Sequence, residues 1–146
     1  MSLTAQFAAY AAAFEKAYEN DDWTCVEPFF AEHAVYDVGI AFAGHECFEG
    51  RSAILSYFKQ VLDQFDRRFD SRELILLEGP FEQGNTVRIR GSATYRAAGV
   101  PDFVLVLDEI ATYEGELIVH LEDRYSDEMK RESAEYIKAY GATLGI

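Results

Sequence analysis

Apolar positions recur along the chain with two periods, and the periods are segregated. Over residues 4–19, Phe7, Tyr10, Ala11, Phe14, Ala17 and Tyr18 fall three and four apart, which predicts an amphipathic helix. Asn20-Asp21-Asp22 interrupts it, and Asp22 is placed to cap a second helix over residues 23–31, kinked or broken at Pro28. Residues 34–38 alternate as a short strand, and residues 39–49 read as a loop ending in a possible strand at 46–48. The clearest helical stripe follows Gly50: Ile54, Leu55, Phe58, Val61, Leu62, Phe65 and Phe69 predict a helix over 51–69. The period then changes to two, with strands predicted over 73–81, 86–95, 103–113 and 116–125. Gly79-Pro80 marks a bulge or bend in the first of these. Ser126 is placed to cap a last helix, which Gly141 ends.

Helices first and a run of strands afterwards define an α+β domain, not a doubly wound parallel sheet. At 146 residues one domain spanning the whole chain is expected. A long curved antiparallel sheet packed on the helices leaves a cavity at its open end.

The two strands over 103–125 form the hairpin around which the rest is arranged. With Glu114 and Gly115 as the two loop residues, Asp108 faces Leu121. One face then carries Val104, Val106, Asp108, Ile110, Leu117, Val119, Leu121, Asp123 and Tyr125. It holds two carboxylates on an apolar wall, Asp108 and Asp123, roughly 7–8 Å apart on the diagonal. A buried carboxylate is costly unless paired or protonated, so these two are the candidate acid and base. A loop one residue longer reverses the faces. Alternation over 86–95 puts Arg88, Arg90 and Ser92 on one side and Val87, Ile89, Ala93 and Tyr95 on the other, turning Arg90 toward solvent.

Composition narrows the partners. Acidic residues outnumber basic ones 26 to 13, a net charge of −13 that disfavours nucleic acid and anionic membrane. No basic segment leads into a short apolar one, and no apolar run reaches membrane-spanning length. Cys25 and Cys47 stand apart and read as reduced thiols in a cytoplasmic protein. His33, His45 and His120 share no metal-ligand spacing, and no phosphate-binding glycine loop occurs, so no metal or cofactor is expected. The 11 Phe and 9 Tyr residues supply a core and can line an apolar pocket.

Four strings, Tyr18-Glu-Asn-Asp-Asp-Trp23, Phe30-Ala-Glu-His-Ala-Val-Tyr36, Phe48-Glu-Gly-Arg-Ser-Ala-Ile54 and Tyr113-Glu-Gly-Glu-Leu-Ile118, together with the element order, resemble the NTF2-like, SnoaL-like superfamily of α+β cones. The resemblance spans residues 7–127 and implies a cone with a pocket for a small apolar molecule. Its members include isomerases, cyclases, epoxide hydrolases, dehydratases and non-catalytic carriers. Set against ketosteroid isomerase, Asp108 matches the hairpin acid, while the helix Tyr falls on Phe14 and the base on Val38. Set against limonene-type epoxide hydrolase, Tyr36, Arg90 and Asp123 match the Tyr, Arg and last-strand Asp. The remaining Asn and Asp fall on Val38 and Ser92. This resemblance turns Arg90 inward, opposite to its periodicity.

The expected site is therefore Asp123 and Asp108 as acid and base, with Tyr36 and Arg90 orienting substrate or stabilising charge. Phe14, Tyr18, Val38, Phe58, Leu62, Ser92, Val106, Leu121 and Tyr125 are the expected pocket residues, Phe14, Tyr18, Phe58 and Leu62 being equally good core. The reading is a cofactor-independent acid–base enzyme on a small apolar ligand. Its alternatives are a non-catalytic receptacle, or an assembly domain whose outer seam is Phe103, Leu105 and Leu107. A homodimer is expected under all three.

Overall fold

Ser2 accepts a hydrogen bond from the Ala5 amide and so starts the first helix, α1, Leu3–Asn20. The computed structural model describes residues 2–40 and 46–146. Helix α1 stops at Asp21, which takes the left-handed conformation with φ 58°. The helix expected over 23–31 is instead two 3₁₀ turns, Trp23–Cys25 and Glu27–Phe29. Asp22 caps the first of them, and Pro28 falls at the start of the second. Phe30 is already extended, so strand β1 is longer than its alternation suggested, Phe30–Asp37. A short strand β2, Cys47–Glu49, precedes helix α2, Arg51–Gln64. The stripe expected to reach Phe69 breaks at Phe65 and continues through a 3₁₀ turn, Asp66–Arg68.

Strands β3 (Ser71–Gln83), β4 (Thr86–Arg96), β5 (Phe103–Glu114) and β6 (Leu117–Arg124) then form an antiparallel meander. Register shifts around Gly79 bend β3 where the bulge was expected. The chain closes with helix α3, Asp127–Leu144, capped by Ser126. Gly141 lies inside α3, and Gly145, with φ 80°, is its left-handed cap.

The sheet has six strands in the order β2-β1-β6-β5-β4-β3, with β1 parallel to β6 and every other pair antiparallel. It is curved and unclosed, with α1 and α2 packed in its concavity. The core there is aromatic: Phe14 and Phe58 meet edge to face at 5.2 Å, and Tyr10 meets Phe30 at 5.5 Å. Phe30, Ile54, Leu62, Ile118 and Leu121 are fully buried. Truncating any of them to Ala would cost about 2–5 kcal/mol. At the other end of the sheet α3 brings Met129 and Tyr136 against Phe69 and Phe103, with Phe103 stacked on Tyr136 at 4.7 Å.

The hairpin register reverses one half of the expected wall. Its loop residues are Gly115 and Glu116, so Glu114 pairs with Leu117 and Tyr113 with Ile118. That displacement alone preserves the expected faces. The next pair is Thr112 with His120, which leaves Val119 as an extra residue on β6. Beyond this bulge Glu109 lies opposite Asp123, and Asp108 lies opposite Arg124. The concave face of β5 therefore carries Phe103, Leu105, Leu107 and Glu109, not Val104, Val106 and Asp108. Phe103 and Leu105 are buried, so they cannot form the proposed outer seam.

Candidate active site

A cavity of about 570 Å³ occupies the concavity between α1, α2 and strands β3 to β6. Phe7, Phe14, Phe58, Leu62 and Ile89 give it apolar walls, and half-exposed Leu74 and Leu76 stand where β3 leaves it open. Two polar groups interrupt this lining.

The first is a carboxyl pair. Tyr36 on β1 is paired with Leu121 on β6, so its hydroxyl reaches the next inward side chain of β6, Asp123. Tyr36 Oη donates to Asp123 Oδ2. Apart from the neighbouring Glu109 carboxyl, no donor among the described residues reaches Asp123 Oδ1, which is buried. The neighbouring Glu109 carboxyl is in hydrogen-bonding contact with Asp123, which requires a proton on one of the two. Desolvation, then the charge of Asp123, raises the Glu109 pKa well above the carboxylate range. Burial also raises Asp123, against the opposing hydrogen bonds from Glu109 and Tyr36. The pair therefore shares a proton, because burial disfavours a second charge beside the first.

Tyrosines surround the pair. Tyr10, Tyr36, Tyr57 and Tyr125 line the cavity, and desolvation first, then nearby carboxylate charge, pushes each hydroxyl up. They stay neutral donors at any physiological pH. Tyr57 Oη is buried without a hydrogen-bond partner among the described residues. Gly39 packs against the backbone of Asp123: its φ is 79°, and a Cβ there would lie 2.4 Å from the Asp123 carbonyl oxygen. Only glycine lets the chain after β1 approach Asp123 this closely.

The second polar group is a buried ion network. Arg72 Nε donates to Asp66 Oδ2 at 2.9 Å, and its two terminal nitrogens grip Glu15 at 2.8 and 3.0 Å. Tyr95 Oη donates to the same Asp66 oxygen at 3.2 Å. Burial still raises Asp66 above its ordinary value.

The structure separates the expected catalytic set. Asp123 and Tyr36 meet in the cavity. Asp108 and Arg90 form a fork on the convex face, Arg90 Nε to Asp108 Oδ1 at 2.9 Å and its Nη2 to Oδ2 at 3.2 Å. That pairing holds Asp108 below its usual pKa. Arg90 thus follows its strand alternation, away from the cavity. Of the expected pocket residues, Phe14, Val38, Phe58, Leu62, Ser92 and Tyr125 border the cavity. Leu121 is core, Val106 packs beside Met129, and the Tyr18 ring lies 4.2 Å from the Arg72 guanidinium. Glu109 and Tyr57 were missed. Tyr57 sits three residues after Ile54 on the same helical stripe, and Glu109 follows from the Val119 bulge. Among the described residues, no His, Cys, Asp or Glu group is arranged to hold a metal ion; His45 lies outside them. Among the described residues, no helix is long and apolar enough to cross a membrane.

No protein-family model and no curated protein matches the chain. Solved structures do match. An NTF2-like protein of unknown function from Burkholderia pseudomallei superposes with a TM-score of 0.70 at 15% identity, over 94% of this chain and 98% of that one. An LEH-like epoxide hydrolase from M. tuberculosis gives 0.63 at 12% identity, over 96% and 98%. A hypothetical protein with a ketosteroid isomerase-like fold from Catenulispora acidiphila, in complex with trimethylamine, gives 0.59 at 18%, over 81% and 85%. The chain therefore has the NTF2-like α+β cone fold. Within that fold it resembles both enzymes and proteins of unassigned activity.

Proposed function

We propose that this protein is a cofactor-independent acid–base enzyme acting on a small organic molecule inside the cone. Asp123 is the base, because it lines the cavity and burial raises its basicity. The proton shared with Glu109 and the Tyr36 hydroxyl keep Asp123 in place, and Tyr57 Oη, which has no partner among the described residues, stabilises a developing oxyanion. Isomerisation, cyclisation and epoxide opening all use these parts. The carrying observation is the carboxyl pair on an otherwise apolar wall. Neighbours with isomerase-like and epoxide-hydrolase-like folds, one of them crystallised with a small molecule, support the same class.

The test is proton transfer: deuterium uptake from D₂O at the α-carbon of a panel of cyclic ketones, and opening of cyclic epoxides, followed by NMR. Asp123→Asn lowers turnover by about 10²–10⁴-fold with little change in melting temperature, and Asp108→Asn leaves turnover unchanged. Wild-type rates equal to buffer across the panel, or full activity in Asp123→Asn, would refute the reading.

Self-association is proposed through β3 rather than the hairpin. Leu74, Ile75, Leu76, Leu77 and Phe81 are exposed on this edge strand, which has an unpaired side. Light scattering of Ile75→Lys against wild type tests it, a shared mass counting against β3. Unpaired Cys25 and Cys47 support a reducing, cytoplasmic setting.

A further inference from the structure

We propose that the ligands this cavity prefers carry a cationic nitrogen, a protonated amine or a quaternary ammonium, seated between Asp123, Glu109 and the tyrosine rings beside them. The inference rests on the acid–base reading above and narrows its substrate class.

The charges lining the cavity do not balance. Glu15, Asp66, Glu109 and Asp123 are acidic, and among the described residues Arg72 is the one basic side chain. Arg72 is spent at the far side: its guanidinium serves Asp66 and Glu15, and Tyr18 covers its face at 4.2 Å. The Glu109–Asp123 pair is left without a cation. Asp123 is 6% exposed and no cation among the described residues reaches it, and a buried carboxylate in that state is costly. A cation at this place removes the penalty, whereas an anion adds to it in a chain that already carries −13.

The surroundings suit such a cation. Tyr10, Tyr36, Tyr57 and Tyr125 bring aromatic rings to the same part of the cavity, and the negative face of an aromatic ring attracts ammonium groups. Aliphatic walls from Leu62 and Ile89 accept the rest of the molecule.

Two carboxyls also divide the work. A neutral ligand leaves the shared proton in place. A cation favours the doubly ionised pair, so the proton leaves: one carboxylate becomes the counter-ion and the other remains a base. The groups facing the pair are Tyr10 from α1, Tyr36 from β1, Tyr57 from α2, Tyr113 from β5, and Tyr125 and Glu122 from the β6 side. The tyrosines stay protonated, so the released proton comes from the pair.

Three probes share one ring and differ in charge: cyclohexylammonium, cyclohexanol and cyclohexanecarboxylate. Each is titrated into the wild-type protein at neutral pH by amide NMR and by calorimetry in two buffers of different ionisation enthalpy. The cation is expected to bind at least about tenfold more tightly than the alcohol, the margin of one hydrogen bond to a charged group. It shifts Tyr36, Tyr57 and Asp123 and releases a proton, and the carboxylate does not bind. Asp123→Asn and, independently, Glu109→Gln erase the preference. The alcohol binding as tightly as the cation, at the same residues, overturns the charge inference and leaves the small-molecule reading standing. Failure of all three to move those residues overturns both.

Discussion

Replacing Glu109 with Gln isolates the proton shared by the buried pair. The Glu109 pKa stands well above its ordinary value, chiefly through desolvation and then through the charge of Asp123. A carboxyl raised in the folded state binds protons more tightly there than in the unfolded chain. Its effect is therefore a stability that falls as pH rises from about 4.3, the unfolded value, to the folded pKa, and then levels. Each unit of elevation lowers stability above that window by about 1.4 kcal/mol. For a chain of this size that is about 3–6 °C of melting temperature per unit. The Gln amide has the same shape, never ionises, and can still donate to Asp123. Glu109→Gln should thus equal or exceed the wild type in stability at pH 7–8, and the wild-type decline above pH 5 should flatten. Asp66, raised by burial in both proteins, cancels from the comparison. Urea unfolding at pH 5, 6, 7 and 8 supplies the curves. Parallel curves, or a variant weaker by more than about 2 kcal/mol at pH 7, the worth of a hydrogen bond to a charged partner, would mean Glu109 is ionised in the fold.

Three further outcomes follow from named contacts. Tyr36→Phe removes the hydroxyl that Asp123 Oδ2 accepts from and should cost about 1.5–3 kcal/mol at neutral pH, read from the urea midpoint. The loss shrinks once acid protonates Asp123. Gly39→Ala meets both a positive φ and the Asp123 carbonyl at 2.4 Å, so its melting temperature should fall well below that of Gly99→Ala, where a Cβ meets open space. Arg72→Met strips Asp66 and Glu15 of their cation inside the cavity wall and should cost about 3–5 kcal/mol, with partial recovery at acidic pH as Asp66 takes up a proton.

Periodicity carried most of the architecture, because the stripe of α2 and the alternation of β4 each express burial on one side. Arg90 shows its strength: alternation put it outside, and a motif match that pulled it inward did not survive the Arg90–Asp108 fork. The site was less legible for one physical reason. Side chains alternate with period two, so the extra residue Val119 exchanges Asp108 for Glu109 on the concave wall while leaving Asp123 in place. Nothing local in Ile118-Val119-His120 marks a bulge, since all three fit a regular strand. Asp22 and Pro28 show a second limit. Asp22 caps as expected, but a 3₁₀ turn satisfies its capping as well as an α-helix does, and Pro28, expected to kink or break one helix, starts a second 3₁₀ turn instead.

Glu109 and Asp123 hold one proton between them inside the cone. Carbon-detected NMR of the two side-chain carboxyls across pH 3–10 reads this directly. Coupled titrations of Glu109 and Asp123 displaced above the ordinary carboxylate range are expected, with Asp108 titrating below that range as an internal reference. Independent transitions of both carboxyls near pH 4, where exposed acids titrate, would contradict it.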